Sequence, residues 1–204
     1  MKRLRAAVCL LAAFWSTEAS ASAALERFRS KLRSDSADRA AAAMQQPQFQ
    51  RARDSLCQPL QDAILETDLQ IRNQPSTPAL HKRHAELLTA VNTQYKERRG
   101  ATQKLGSGEI DHFTILNICL RTAIAADRDV ESYGLAKLTM IERPNEDNLL
   151  GRMWAATSLG LGKGVPRSKP EASAAMLGIA KLKTATPDLK AALADIAMSM
   201  YLEK

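Results

Sequence analysis

A serine or threonine followed at once, or one position later, by proline recurs at Thr77-Pro78, Ser168-Lys169-Pro170 and Thr186-Pro187. This pattern marks helix starts. The hydroxyl can accept a hydrogen bond from an otherwise unpaired N–H of the first turn, and proline's fixed φ suits the first helical positions. Strand signals are nearly missing, because aromatic residues make up only 4% of the chain and valine is sparse. Alanine, leucine, lysine, arginine, glutamine and glutamate dominate, all good helix formers. The expected fold class is all-α, as stacked α-hairpins or a helical bundle, with an α-solenoid fragment as one form of it.

Apolar periodicity places the helices. Leu25, Phe28 and Leu32 form a short stripe, and Ala40–Ala43 adds little burial. Residues 24–47 therefore read as a weakly docked helix or a mobile arm. Residues 48–204 read as the all-α domain. Phe49, Leu56, Leu60, Ile64 and Ile71 recur at helical spacing, with Pro59 kinking or restarting the helix after Cys57. Asn73 to Pro78 is a break. The next helix runs from Pro78 to Arg99, presents Leu80, His84, Leu87, Leu88, Val91 and Tyr95 on one face, and ends with Gly100 at C′. Gly106-Ser107-Gly108 reads as a loop. Glu109 to Ala126 and Arg128 to Glu142 follow as helices, the second stopped by Arg143-Pro144. Asn145 with Asn148 opens the next, and the last third reads as helix, glycine loop, helix, short loop, helix.

The N-terminus has the three parts of a secretory leader. Lys2, Arg3 and Arg5 are basic, Ala6 to Trp15 is uncharged and apolar, and Ser16 to Ala23 is small and polar. Ala-x-Ala spacing occurs at Ala19/Ala21 and at Ala21/Ala23, so cleavage of residues 1–23 is expected. The apolar run is about half of the roughly 20 residues that a membrane-spanning helix needs. Loss of Lys2, Arg3, Arg5 and Glu18 lowers the formal charge from +7 to +5. That mild excess is no nucleic-acid footprint. The expected location is periplasmic or secreted.

Cys9 leaves with the leader, so Cys57 and Cys119 remain. In an oxidising compartment two cysteines most simply pair with each other. Two free buried thiols, or one intermolecular bridge, are the alternatives.

No motif carries a complete chemistry. Gly160-Leu161-Gly162-Lys163-Gly164 lacks the first glycine of a Walker loop, where Thr157 stands, and the hydroxyl after the lysine, where Gly164 stands. His81 and His84 lie three apart with Glu86 nearby, but a zinc site needs further ligands, and His112 is the only other histidine. No metal or other cofactor is expected. Glu131-Ser132 is similar to the Glu-Ser pair at the catalytic carboxylate of soluble lytic transglycosylases, yet Gly134-Leu135-Ala136-Lys137-Leu138 continues a helix where a glycine-rich stretch should follow. Glu131 would also need an apolar pocket to act as an acid. Lys96, Arg98, Arg99 and Lys104 surround Gly100, as a cationic helix end favoured by the dipole or as a contact for an acidic or anionic surface.

Gly162-Lys163-Gly164-Val165-Pro166 forms a Gly-x-Gly-Val turn between two helices rich in small residues. Ala155 and Ala156 precede it; Ala172 and Ala180 follow. In these residues the segment from Gly151 to about residue 182 resembles a Sel-one-like repeat, a relative of the tetratricopeptide repeat. Leu159, Ser168, Ala175 and Ile179 depart from that pattern, standing for its tyrosine, aspartate, tryptophan and first terminal alanine. Asp188 to Tyr201 could begin a further, truncated unit. The resemblance implies a protein-binding scaffold without catalytic residues or cofactor, with Gly162, Gly164 and Val165 as the repeat turn.

Together these features point to an exported helical protein-interaction module with a protein partner in the cell envelope, acting as adaptor, accessory factor or inhibitor. A peptidoglycan hydrolase using Glu131, or a binder of anionic surfaces using Lys96 to Lys104, is the alternative.

Overall fold

The computed structural model describes residues 2–52, 57–71, 74–75, 77–102, 112–144 and 148–202. Gly106 to Gly108, Lys104, Asn73 and Asn145 lie outside them. All regular structure among the described residues is helical. The helices are α1 (Lys2–Met44), α2 (Pro47–Ala52), α3 (Gln58–Leu69), α4 (Pro78–Thr102), α5 (His112–Ala125), α6 (Asp129–Glu142), α7 (Leu149–Leu161), α8 (Lys169–Ala180) and α9 (Pro187–Leu202).

The punctuation read from the sequence works mostly as capping chemistry requires. The Leu80 N–H donates to Thr77 Oγ1 at 3.1 Å, the Leu189 N–H to Thr186 Oγ1 at 3.3 Å, and the Gly151 N–H to Asn148 Oδ1 at 3.3 Å. Ser168 occupies the N-cap of α8 with extended backbone, but its hydroxyl makes no capping bond. Pro59 lies in the first turn of α3, two residues after Cys57. One boundary differs from expectation: α4 does not stop at Gly100 but runs on to Thr102. A glycine inside a helix costs only about 1 kcal/mol relative to alanine, and good helix formers flank this one.

Helices α5 to α9 each pack on the next, so the second half is a row of adjacent hairpins. The α3–α4 hairpin packs on α6, and α1 lies across α5, α7 and α9. The shared core holds Leu60, Leu88, Leu116, Leu120, Leu135, Trp154, Met176 and Leu193.

Residues 24–44, expected as a loosely held segment, are the end of α1 and contribute to this core. The buried positions are Ala21, Leu25, Arg29, Leu32, Ser36 and Ala40, a regular three-and-four spacing along one face. The hydrophobic stripe looked short because two of its positions carry Arg29 and Ser36. Both are nevertheless buried.

Cys57 and Cys119 form a disulfide with a Cα–Cα distance of 5.3 Å, joining the start of α3 to α5. Among the described residues, no helix is long and apolar enough to cross a membrane.

Candidate interaction surface

The residues singled out in the sequence take distinct places. Gly162 caps α7 with φ 71°, and Gly164 has φ 75°. A Cβ on Gly164 would lie 2.1 Å from the Asp129 carbonyl oxygen, so this turn presses its bare backbone on the start of α6. Val165 is buried beside it. Lys163 pairs with Glu26 at 2.9 Å and thereby ties the turn to α1. Glu131 is half-buried in the first turn of α6, where a carboxylate complements the helix dipole.

The basic cluster is divided. Lys96 Nζ lies 2.6 Å from Glu142 Oε2, joining α4 to α6. Asn92 Nδ2 donates to the same oxygen at 3.3 Å. Burial pushes the Glu142 carboxyl up, but the hydrogen bonds from Lys96 and Asn92 and the nearby His112 outweigh it and hold the group below the usual range. Lys96 is thus a helix tie. The side chains of Arg98 and Arg99, like all of Lys104, lie outside the described residues.

His81 and His84 do not converge. His81 reaches α8, with Nε2 3.5 Å from Glu171 Oε1. His84 is turned inward, 4% exposed, and stacks on Tyr133 with ring centroids 5.6 Å apart. Among the described residues there is no group of three or more side chains placed to hold a metal ion. Burial pushes His84 down to about 4; Lys137 and His81 add to the shift and Asp68 opposes it. Burial also lowers Lys137, against the pull of Glu171, and raises Tyr133, with Glu171 adding to the effect. Among the described residues His84 Nε2 has no hydrogen-bond partner. Sequence periodicity found His84 on the inner face. It did not find Asp68, Tyr133, Lys137 and Glu171, which come from three other helices.

A second polar centre surrounds Arg29. Its guanidinium lies over the Trp154 ring, 4.1 Å from the centroid, and donates to Asp129 Oδ1 and, at 3.5 Å, to Ser158 Oγ. Trp154 Nε1 donates to Ser132 Oγ at 2.8 Å, and that hydroxyl donates to the Asp129 carbonyl at 3.1 Å. Asp127, with φ 56°, accepts an ion pair from Arg33 at 3.0 Å. The neighbouring Arg128 donates to Gln61 Oε1 at 2.7 Å. The turn between α5 and α6 is therefore tied to α1 and α3 by side chains, and Trp154 ties α7 to the first turn of α6. A charge at the stripe position four after Leu25 is the sequence signal that would have found Arg29.

These polar centres bind helix to helix. The α3–α4 hairpin instead leaves an open groove of about 680 Å³. Ala63, Leu87, Ala90 and Val91 form its apolar part, and Glu66, Glu86 and Glu97 supply its charge. Among the described residues, no lysine, arginine or histidine lines it. All three carboxylates are exposed. Glu86 makes a long contact of 3.9 Å with Lys82, one turn away and itself exposed. Such surface pairs leave a carboxylate largely available.

No family model matches this chain, and neither the curated proteins nor the solved structures contain a match to it.

Proposed function

We propose that this chain is an exported helical protein-interaction module of the cell envelope, periplasmic or secreted, working as adaptor, accessory factor or inhibitor. The observation that carries the reading is the open α3–α4 groove on a scaffold where the Lys96–Glu142 and Arg29–Asp129 pairs join helix to helix. A polar-rimmed groove with an apolar floor between two helices accepts a segment of another protein. Across α5, α7 and α9 the equivalent surface is already filled by α1. Export is supported by the leader-like residues 1–23, and the Cys57–Cys119 disulfide fits an oxidising compartment. The α7–α8 hairpin, with left-handed glycines in its turn, fits a degenerate Sel-one-like unit.

The test is in-cell cross-linking of the tagged chain, followed by capture from an envelope fraction and determination of its N-terminus. A processed chain starting near residue 22 or 24, with one defined protein cross-linked to it, is expected. An unprocessed chain in the cytosol, with no cross-linked partner, overturns the proposal.

A further inference from the structure

The α3–α4 groove has a charge that selects its occupant. Among the described residues its lining contains three glutamates and no cation, on a chain whose formal charge is +7. Cations are plentiful in the sequence, yet none stands among the described lining residues. Carboxylates that held helices together would show partners across the hairpin. Among the described residues Glu86 pairs only with its exposed neighbour Lys82. Glu66 and Glu97 stand exposed on α3 and α4 respectively.

We infer that the α3–α4 groove docks a cationic amphipathic helix of a partner protein. Glu66, Glu86 and Glu97 would pair with its lysines or arginines, and Leu87, Ala90 and Val91 would meet its apolar stripe. The inference rests on the interaction-module reading for its biological sense and adds the chemistry of the partner. Geometry supports a helix as occupant, since two packed helices present a furrow into which the ridge of a third fits. Spacing narrows it further. Glu86 and Glu97 are eleven residues apart on α4, about 16 Å along the axis at 1.5 Å per residue. A partner helix lying along α4 meets both when its cations stand about three turns apart. Complementary charge of this kind sets orientation and encounter rate, while the apolar strip limits dissociation.

The experiment pans a display library of helical 18-residue peptides on the full, disulfide-bonded protein. A triple charge reversal, Glu66→Lys with Glu86→Lys and Glu97→Lys, serves as counter-target, and Asp195→Lys on α9 as a remote control. The substituted side chains are exposed, so an unchanged circular-dichroism melt identifies a folded counter-target. Selected peptides are expected to carry lysine or arginine about eleven positions apart beside an apolar stripe. Their binding should fall at least tenfold on the triple variant, stay unchanged on Asp195→Lys, and weaken as salt rises from about 0.1 M to 1 M, where screening shortens from about 10 Å to 3 Å. Neutral or acidic winners, or cationic ones indifferent to the triple reversal, overturn the inference. If in-cell cross-links map to another face while panning yields no groove-dependent peptide, the groove assignment fails and the module reading stands. Groove-dependent cationic peptides support the assignment even if no cellular partner is captured.

Discussion

The Arg29 guanidinium carbon lies 4.1 Å from the centroid of the Trp154 ring, while one of its nitrogens reaches Asp129. One side chain from α1 thus joins an aromatic ring on α7 to a carboxylate at the start of α6. Arg29 is 3% exposed, so its removal leaves Asp129 without its main partner and opens a gap beside Trp154. Arg29→Met is expected to cost about 2 to 3 kcal/mol, less than for a fully buried pair because Asp129 is partly solvated. Arg29→Lys should recover only part of that, since an ammonium lacks the planar fork. Urea titration followed by circular dichroism measures both losses.

Gly164 and Gly178 predict opposite responses to alanine. At Gly164 the backbone is left-handed and the new methyl would meet the Asp129 carbonyl, which cannot swing aside like a side-chain tip. A loss of more than about 2 kcal/mol is expected. At Gly178, within α8, nothing lies within 4 Å of the added carbon. Gly178→Ala should stabilise by up to about 1 kcal/mol through helix propensity. Thermal melts of the two variants beside the parent decide the matter.

His84 makes stability depend on pH. Its pKa falls from 6.5 to about 4 on folding, mainly through burial. Below 6.5 the unfolded chain gains a proton that the folded chain refuses until about pH 4. The contribution of His84 is therefore complete above about pH 6.5 and drains away as pH falls toward 4, a loss of about 3 kcal/mol in total. A His84→Phe variant keeps a ring against Tyr133 but cannot titrate. Its stability should decline less than the parent's between pH 7 and 4, as measured by denaturant titration at each pH. Parallel profiles would remove His84 as the cause.

The Cys57–Cys119 bond closes a loop of 62 residues between α3 and α5. In the chain-entropy model that constraint stabilises by about 4 kcal/mol. Both sulfurs are held in the bond, so neither should react with a thiol reagent in the denatured, unreduced protein. Cys57→Ala with Cys119→Ala should lower the melting midpoint while leaving the helical spectrum in place. Alkylation of either residue before reduction would contradict the pairing.

Much of the helical architecture was legible because its causes are local. Hydroxyl caps, early prolines and apolar residues at three-and-four spacing act within one or two turns, so they placed α3, α4 and α5 to α9 and identified Leu60, Ile64, Leu88 and Leu116 as core. The same reasoning underestimated α1, because Arg29 and Ser36 look like surface residues. Arg29 finds its partners about a hundred residues away or further, and Ser36 is buried although its hydroxyl has no hydrogen-bond partner among the described residues. The basic cluster around Gly100 was equally ambiguous until Glu142 arrived from α6 to hold Lys96.

By itself the sequence determined that this protein would be helical, where most helices begin, and that two cysteines remain after a leader-like segment. Only tertiary structure decided that Arg29 is buried, that His84 stacks on Tyr133, that Glu66, Glu86 and Glu97 share one groove, and that Cys57 meets Cys119. Capping and periodicity are set by neighbours along the chain, whereas burial and electrostatic company depend on which distant helices come to lie alongside.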